Sequence, residues 1–223
     1  MPHSDIDKTQ TIIPMKPLSE AKSRLKGNVD SMSREAAILM MLNKVINAVK
    51  KHGKTECLVL GGDNFIKNLA NSHDVQWSPD PYPNNGLNEC LWETMVKAHD
   101  SGSKATLFLP GDLPLIDTND IDEIFQASDS LKKTVIARAD KDGGTNAMLQ
   151  PAYQAFQPML GDQSFSKHQR LFLNNSIPLS VIDTAGLKFD LDNDSDYEWA
   201  IENVNGFKSQ IKDWETLIIK TSN

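Results

Sequence analysis

The chain has 223 residues, 39% of them hydrophobic and 24% charged, with a net charge of −7. That suits one large soluble domain with a buried core. It argues against a generic nucleic-acid binder, which needs a basic face to neutralise phosphates. Cys57 and Cys90 make neither a disulfide framework nor a zinc site, so a reducing, cytoplasmic setting is expected. Residues 1–10 are polar, without a signal-peptide core, and no apolar run reaches the length of a membrane span.

Strand-like and helix-like segments alternate along the chain. Residues 11–13 read as a buried strand stopped by Pro14, followed by a basic loop over 16–26. An amphipathic helix is expected over 33–51 with Ser33 as its N-cap, and a strand over 56–60 that ends at Gly61-Gly62. A short helix over 64–70 and an edge strand over 75–77 follow. Then come a helix over 87–99 and a strand over 105–109, apolar except for Thr106, that ends at Pro110. Residues 117–131 read as a helix opened by Asp117 and Thr118. Strands are expected over 134–139, 146–149 and 179–182, and helices over 164–174, 194–203 and 207–220. This order implies an α/β domain over 11–204 with a mainly parallel, mixed sheet, after a polar segment 1–10 and before a helical tail 205–223. Ligands in such sheets bind beyond the carboxyl ends of the strands, where the distinctive turns fall.

Four constellations carry chemistry. Lys16, Lys22 and Arg24 follow the first strand in an otherwise acidic protein, and a triphosphate needs such cations. Alone they read equally well as a solvated loop. In Phe108-Leu-Pro-Gly-Asp112-Leu-Pro114 an apolar strand delivers one carboxylate to its end, which suits a nucleotide-bound magnesium ion. In Asp190-Leu-Asp192 the two carboxylates point the same way on an extended segment, where paired metal ions have room. The fourth spans Asp142-Gly-Gly-Thr-Asn to Gly161-Asp-Gln-Ser-Phe-Ser-Lys-His168, two glycine turns with Thr145 and Ser164 as hydroxyl donors. Ser164 and His168 share one helix face, and the pattern suits a small phosphorylated acid at a helix N-terminus. A weaker turn, Gly86-Leu87-Asn88, opens a helix, and its amide is able to touch a nucleoside. No P-loop or dinucleotide-type glycine turn occurs, and no Ser-His-Asp or Cys-His set is indicated.

These motifs, in order, resemble the 2-phospho-L-lactate guanylyltransferase family of coenzyme F-420 biosynthesis, some of whose members are phosphoenolpyruvate guanylyltransferases. The resemblance covers residues 11–202. It implies a single Rossmann-like nucleotidyltransferase domain that transfers GMP from GTP to the phosphate of a small acid and releases pyrophosphate. It assigns Asp112, Asp190 and Asp192 to two Mg2+ ions and Thr145, Gly161 and Ser164 to the acid. Lys16, Lys22 and Arg24 fall near the triphosphate and Gly86, Leu87 and Asn88 near the nucleoside. His168 either contacts the acid or packs beneath Ser164. GTP and the acid are the expected partners, with no nucleic acid or membrane. A homodimer stays open, and the unstable product is expected to pass to the next enzyme of the pathway. The chain departs from the family at Asn43, where an aspartate is frequent. Among acceptors, 2-phospho-L-lactate, phosphoenolpyruvate and 3-phosphoglycerate stay open, as does GTP over ATP on the residues alone. Another nucleotidyltransferase, a sugar-nucleotide transferase of related fold and a non-catalytic nucleotide-binding protein are the competing readings.

Overall fold

The structure, a computed structural model, describes residues 9–22, 25, 29–82 and 86–221. Its strands are β1 (Thr9–Met15), β2 (Thr55–Gly61), β3 (Gln76–Ser78), β4 (Ala105–Phe108), β5 (Thr134–Arg138), β6 (Thr145–Pro151) and β7 (Leu179–Ile182). They form one sheet in the order β3-β2-β1-β4-β6-β5-β7. Strand β6 is antiparallel to both neighbours, and the other pairings are parallel. The reversed direction of β6 has one consequence for the site. It brings Thr145 and Asn146, at the start of β6, to the edge where β1, β4 and β5 end.

The helices are α1 (Ser31–His52), α2 (Asn64–Ser72), α3 (Leu87–Asp100), α4 (Thr118–Ala127), α5 (Ser164–Asn174), the short turn α6 (Ala185–Lys188), α7 (Asp194–Asn203) and α8 (Phe207–Thr221). Successive strand residues face opposite layers. Ile13, Val59 and Leu107 join Met41, Leu42 and Val45 of α1 on one face, with Ile121 of α4 and Ile211 of α8. Ile12, Leu60, Phe108 and Met148 meet Leu91 and Met95 of α3 and Phe172 of α5 on the other. Each such buried side chain contributes about 1.5–3 kcal/mol of hydrophobic stabilisation. The tail is part of this core: Phe207, Ile211 and Ile218 of α8 are buried, and Glu215 accepts a 2.6 Å hydrogen bond from the Ser33 hydroxyl at the start of α1.

Several sequence expectations shift. Pro14 does not stop β1, which pairs with β2 through Met15. The pairing of β1 with β4 ends at Ile12, whose carbonyl accepts from Leu109 N–H at 3.2 Å. Pro14 lies two residues on, facing the same side, where no ladder partner asks for its missing N–H. The N-cap of α1 is Asp30, whose carboxylate accepts from Ser33 N–H at 3.0 Å. Helix α4 ends at Ala127 instead of 131, because Asp129, Ser130 and Leu131 turn into the left-handed region. Asn43 Oδ1 accepts at 2.7 Å from His73 Nε2, a role unconnected with the motifs.

Candidate active site

The strand order reverses between β1 and β4, and in open α/β sheets the crevice that takes the ligand lies at such a reversal, beyond the carboxyl ends of the strands. Three loops meet there. The loop after β4 passes close to β1 at Gly111, where a Cβ would collide with Met15 Sδ. Lys44 of α1 anchors the same loop by donating to Pro114 O at 2.8 Å. The segment carrying Asp190 and Asp192 is tied to it through Leu191 N–H, which donates to Asp112 O at 3.1 Å. Asn146 holds this segment from below, donating to Leu187 O at 2.9 Å and to Asp190 Oδ1 at 3.3 Å. Asp192 is followed by a capping box in which Asp196 Oδ2 accepts from the N–H groups of Asp192 and Asn193, at 2.9 and 3.3 Å. Lys141, on the glycine turn before β6, forms an ion pair with the buried Asp196 and lies 4.8 Å from the Phe189 ring centre. The acidic segment is thus linked to both neighbouring loops.

The three expected carboxylates are together, and so is one of the expected cations. Lys22 Nζ bridges Asp112 Oδ2 and Asp192 Oδ1, the latter at 2.6 Å. Lys22 has a φ of 52°, a left-handed backbone that its two charge-assisted bonds offset. Burial works against its ammonium, but the two carboxylates outweigh it and hold the pKa above the ordinary lysine value. Asp190 has the opposite problem. Burial first, and then the charges of Asp112 and Asp192, raise its pKa to about 6 against a partial offset from Asn146. Asp112 Oδ1 is buried without a hydrogen-bond partner. Among the described residues no three or more Asp, Glu, His or Cys side chains stand as a ready metal cage; Lys22 occupies the space between two of the carboxylates.

The second half of the site is neutral and closed. Thr145, Ser164 and His168 are 5%, 0% and 0% exposed. Ser164 Oγ donates to Thr145 Oγ1 at 3.1 Å, His168 Nδ1 lies 2.9 Å from the same oxygen, and Met159 N–H donates to His168 Nε2 at 2.8 Å. Burial, and then Lys167, lower the His168 pKa to about 4, so the ring is neutral. His168 packs behind Thr145 and Ser164, which is the second of its two sequence readings. Gly161, φ 115°, is exposed at the rim beside them. The expected helix N-terminus is less open than the motif implies: Ser164 N–H already donates to Gly161 O and Phe165 N–H to Gly143 O, both at 3.0 Å.

Other candidates are placed differently. Gly86 and Leu87 are exposed where α3 begins, but the Asn88 amide is engaged. Its Nδ2 donates to Leu160 O at 3.2 Å and its Oδ1 accepts from Leu160 N–H at 2.7 Å. It therefore holds the loop that leads to Gly161. Lys16 is exposed at the end of β1, and Arg24 lies outside the described residues. Asn146, Asp196 and Lys141 did not figure among the sequence candidates. Asn146 was within reach, since it belongs to the Gly-Gly-Thr-Asn turn; the other two act across 55 positions of chain, which no local spacing shows.

A family model described as guanylyl transferase, CofC like, matches residues 9–211. The chain belongs to that family. The match starts with β1 and takes in every loop of the crevice. A relative named phosphoenolpyruvate guanylyltransferase, from Rubrobacter xylanophilus, is 31% identical over 83% of this chain and 89% of its own. One named 2-phospho-L-lactate guanylyltransferase, from Methanosphaera stadtmanae, is 24% identical over 86% of this chain and 82% of its own. A solved putative nucleotide-diphospho-sugar transferase from Desulfovibrio desulfuricans shares the fold, with a TM-score of 0.73, 12% identity and coverage of 96% and 97%. The CofC-like guanylyl transferase fold is thus a nucleotidyltransferase α/β domain, with its mixed sheet flanked by helices as the sequence implied. No helix among the described residues is long and apolar enough to cross a membrane.

Proposed function

We propose that the crevice transfers GMP from GTP to the phosphate of a small phosphorylated acid, with pyrophosphate leaving. The observation that carries this reading is the pairing of two unlike half-sites at one sheet edge. One is acidic, with Asp112, Asp190 and Asp192 around Lys22. The other is neutral, with Thr145 and Ser164 beside exposed Gly161. A phosphate monoester is already anionic at neutral pH, so its oxygen attacks the α-phosphorus without a general base. The obstacle is repulsion between two polyanions, which cations screen. That accounts for a site in which no Ser, Cys or His among the described residues is placed as a nucleophile.

Asp112, Asp190 and Asp192 fit divalent cations. Burial, and then their mutual repulsion, raise Asp190, and Asp112 keeps one buried oxygen without a partner. Bound Mg2+ would supply charge neutralisation for the triphosphate and the leaving pyrophosphate. Lys22 carries a charge held firmly at neutral pH and, with exposed Lys16, stands where the triphosphate enters. Gly86 and Leu87 border the nucleoside end, while Asn88 supports the acceptor loop through Leu160. Among acceptors phosphoenolpyruvate has the most support, because the relative at 31% identity carries that name and the phospholactate relative stands at 24%. Pyrophosphate release measured with GTP or ATP against phosphoenolpyruvate, 2-phospho-L-lactate and 3-phosphoglycerate tests the reading. GTP with phosphoenolpyruvate should be fastest. Release that ignores the acid, or that requires a sugar phosphate, would remove it.

A further inference from the structure

The polarity of the buried cluster behind the acceptor turn has a consequence for catalysis. Met159 N–H is an obligatory donor, so the His168 Nε2 it meets at 2.8 Å must be an acceptor. The neutral imidazole then carries its proton on Nδ1 and donates it to Thr145 Oγ1, 2.9 Å away. Ser164 Oγ donates to the same oxygen at 3.1 Å. Two donors fill both lone pairs of the Thr145 hydroxyl. Its own proton is all that it can offer, and an anion is what accepts a proton of that kind. Were the imidazole in the other tautomer, Thr145 would have to donate to it and would turn a lone pair toward an anionic ligand.

We infer that His168 is a positioning residue that fixes Thr145 as a one-way hydrogen-bond donor to the phosphorylated acid, acting through Thr145 and never touching the substrate. The inference rests on the acceptor role proposed for Thr145 above. The same ring also ties three pieces of chain together: β6 through Thr145, the 156–163 loop through Met159, and α5, on which it stacks against Phe172 with ring centres 6.3 Å apart. A buried, fully bonded imidazole of this kind keeps its orientation without reorganising when the acid arrives.

The test has two arms. In the first, KM for the acid and KM for GTP are measured for His168→Phe, which keeps the ring stack and removes both hydrogen bonds, and for His168→Asn, whose amide can restore the donor to Thr145. Loss of a donor aimed at an anion should raise KM for the acid by about tenfold in His168→Phe and change KM for GTP by less than about twofold. His168→Asn should recover most of the loss, and Thr145→Val should reproduce His168→Phe with no added effect in the double variant. Equal changes in both KM values, or no difference between Phe and Asn, would overturn the inference. If His168→Phe does not fold, Thr145→Val and His168→Asn carry the same comparison. In the second arm, 15N NMR of the wild-type imidazole should show the Nδ1–H tautomer between about pH 6 and about pH 8. An Nε2–H tautomer or an imidazolium would overturn it. A wild-type protein that accepts none of the acids sinks the acceptor reading and leaves the tautomer arm still decisive for the network.

Discussion

The two halves of the crevice are built on opposite principles. The acidic half is charged, part-exposed and unfinished. Lys22 pairs with two of three carboxylates, Asp190 is pushed up to about 6, and one oxygen of Asp112 has no partner. The acceptor half is neutral and buried, and its hydroxyls and imidazole are bonded to one another. A polar network with its partners in place is rigid before ligand arrives, whereas a cluster of like charges depends on whatever cation enters. Under the proposed assignment, the half that meets GTP is thus conditional on cations, and the half that meets the acid is made in advance.

That contrast gives an ordered set of ways to break it. Asp112→Ala removes a carboxylate that both holds Lys22 and keeps its second oxygen buried without a partner. Turnover should fall on the order of 10³-fold with secondary structure unchanged by circular dichroism; near wild-type turnover would contradict the assignment. Lys22→Met leaves Asp112 and Asp192 facing each other. In EDTA it should lose about 1–3 kcal/mol of stability, less than a fully buried pair because Asp192 is part-exposed. Added Mn2+ without nucleotide should then raise its melting temperature more than that of the wild type. An equal response would show that lysine and metal do not share these oxygens.

Asp190→Asn separates stability from activity. A carboxyl group whose folded pKa lies above its ordinary value of 3.8 binds protons more readily when folded. Its charge therefore destabilises the metal-free fold: the penalty is absent below pH 3.8, grows as pH rises toward about 6 and is full above that. The asparagine variant should be more stable than the wild type at neutral pH, on the order of 1–3 kcal/mol, with no gain at the acid end. Its turnover should be lost. Denaturant titrations along pH would expose a gain that fails to follow this course. Asn88→Ala is the mildest test: without its clamp on Leu160, KM for the acid should rise by about three- to tenfold and KM for GTP should hold. A rise confined to GTP would instead return Asn88 to the nucleoside.

Much of this was readable in the chain, for identifiable reasons. Strands such as 105–109 carry apolar residues on both faces, and helices such as 164–174 announce their start with Gly161 and Ser164, so the α/β order and the loops at its carboxyl edge follow from local pattern. The direction of β6 does not, because a strand buried on every residue carries no sign of its orientation. Pro14 misled because a proline ends a strand only where a neighbour needs its N–H, and β4 has left by then. The individual carboxylates were legible, but their relation to Lys22 spans 90 and 170 residues and exists only in the fold. Asn88 looked available because its partner, Leu160, is 72 positions away. The structure also separates what the motif joined: Gly161 reaches solvent, while Ser164 and His168 do not.

The central claim is that the phosphate of the acid attacks the α-phosphorus of GTP across the boundary between the two halves. Phosphoenolpyruvate labelled with 18O on its phosphate oxygens tests it most directly, with the products read by mass spectrometry and 31P NMR. The account predicts a mixed diphosphate diester of guanosine that retains the full label of the acid, and unlabelled pyrophosphate. Label lost from the organic product, or release of inorganic phosphate in place of pyrophosphate, would contradict it.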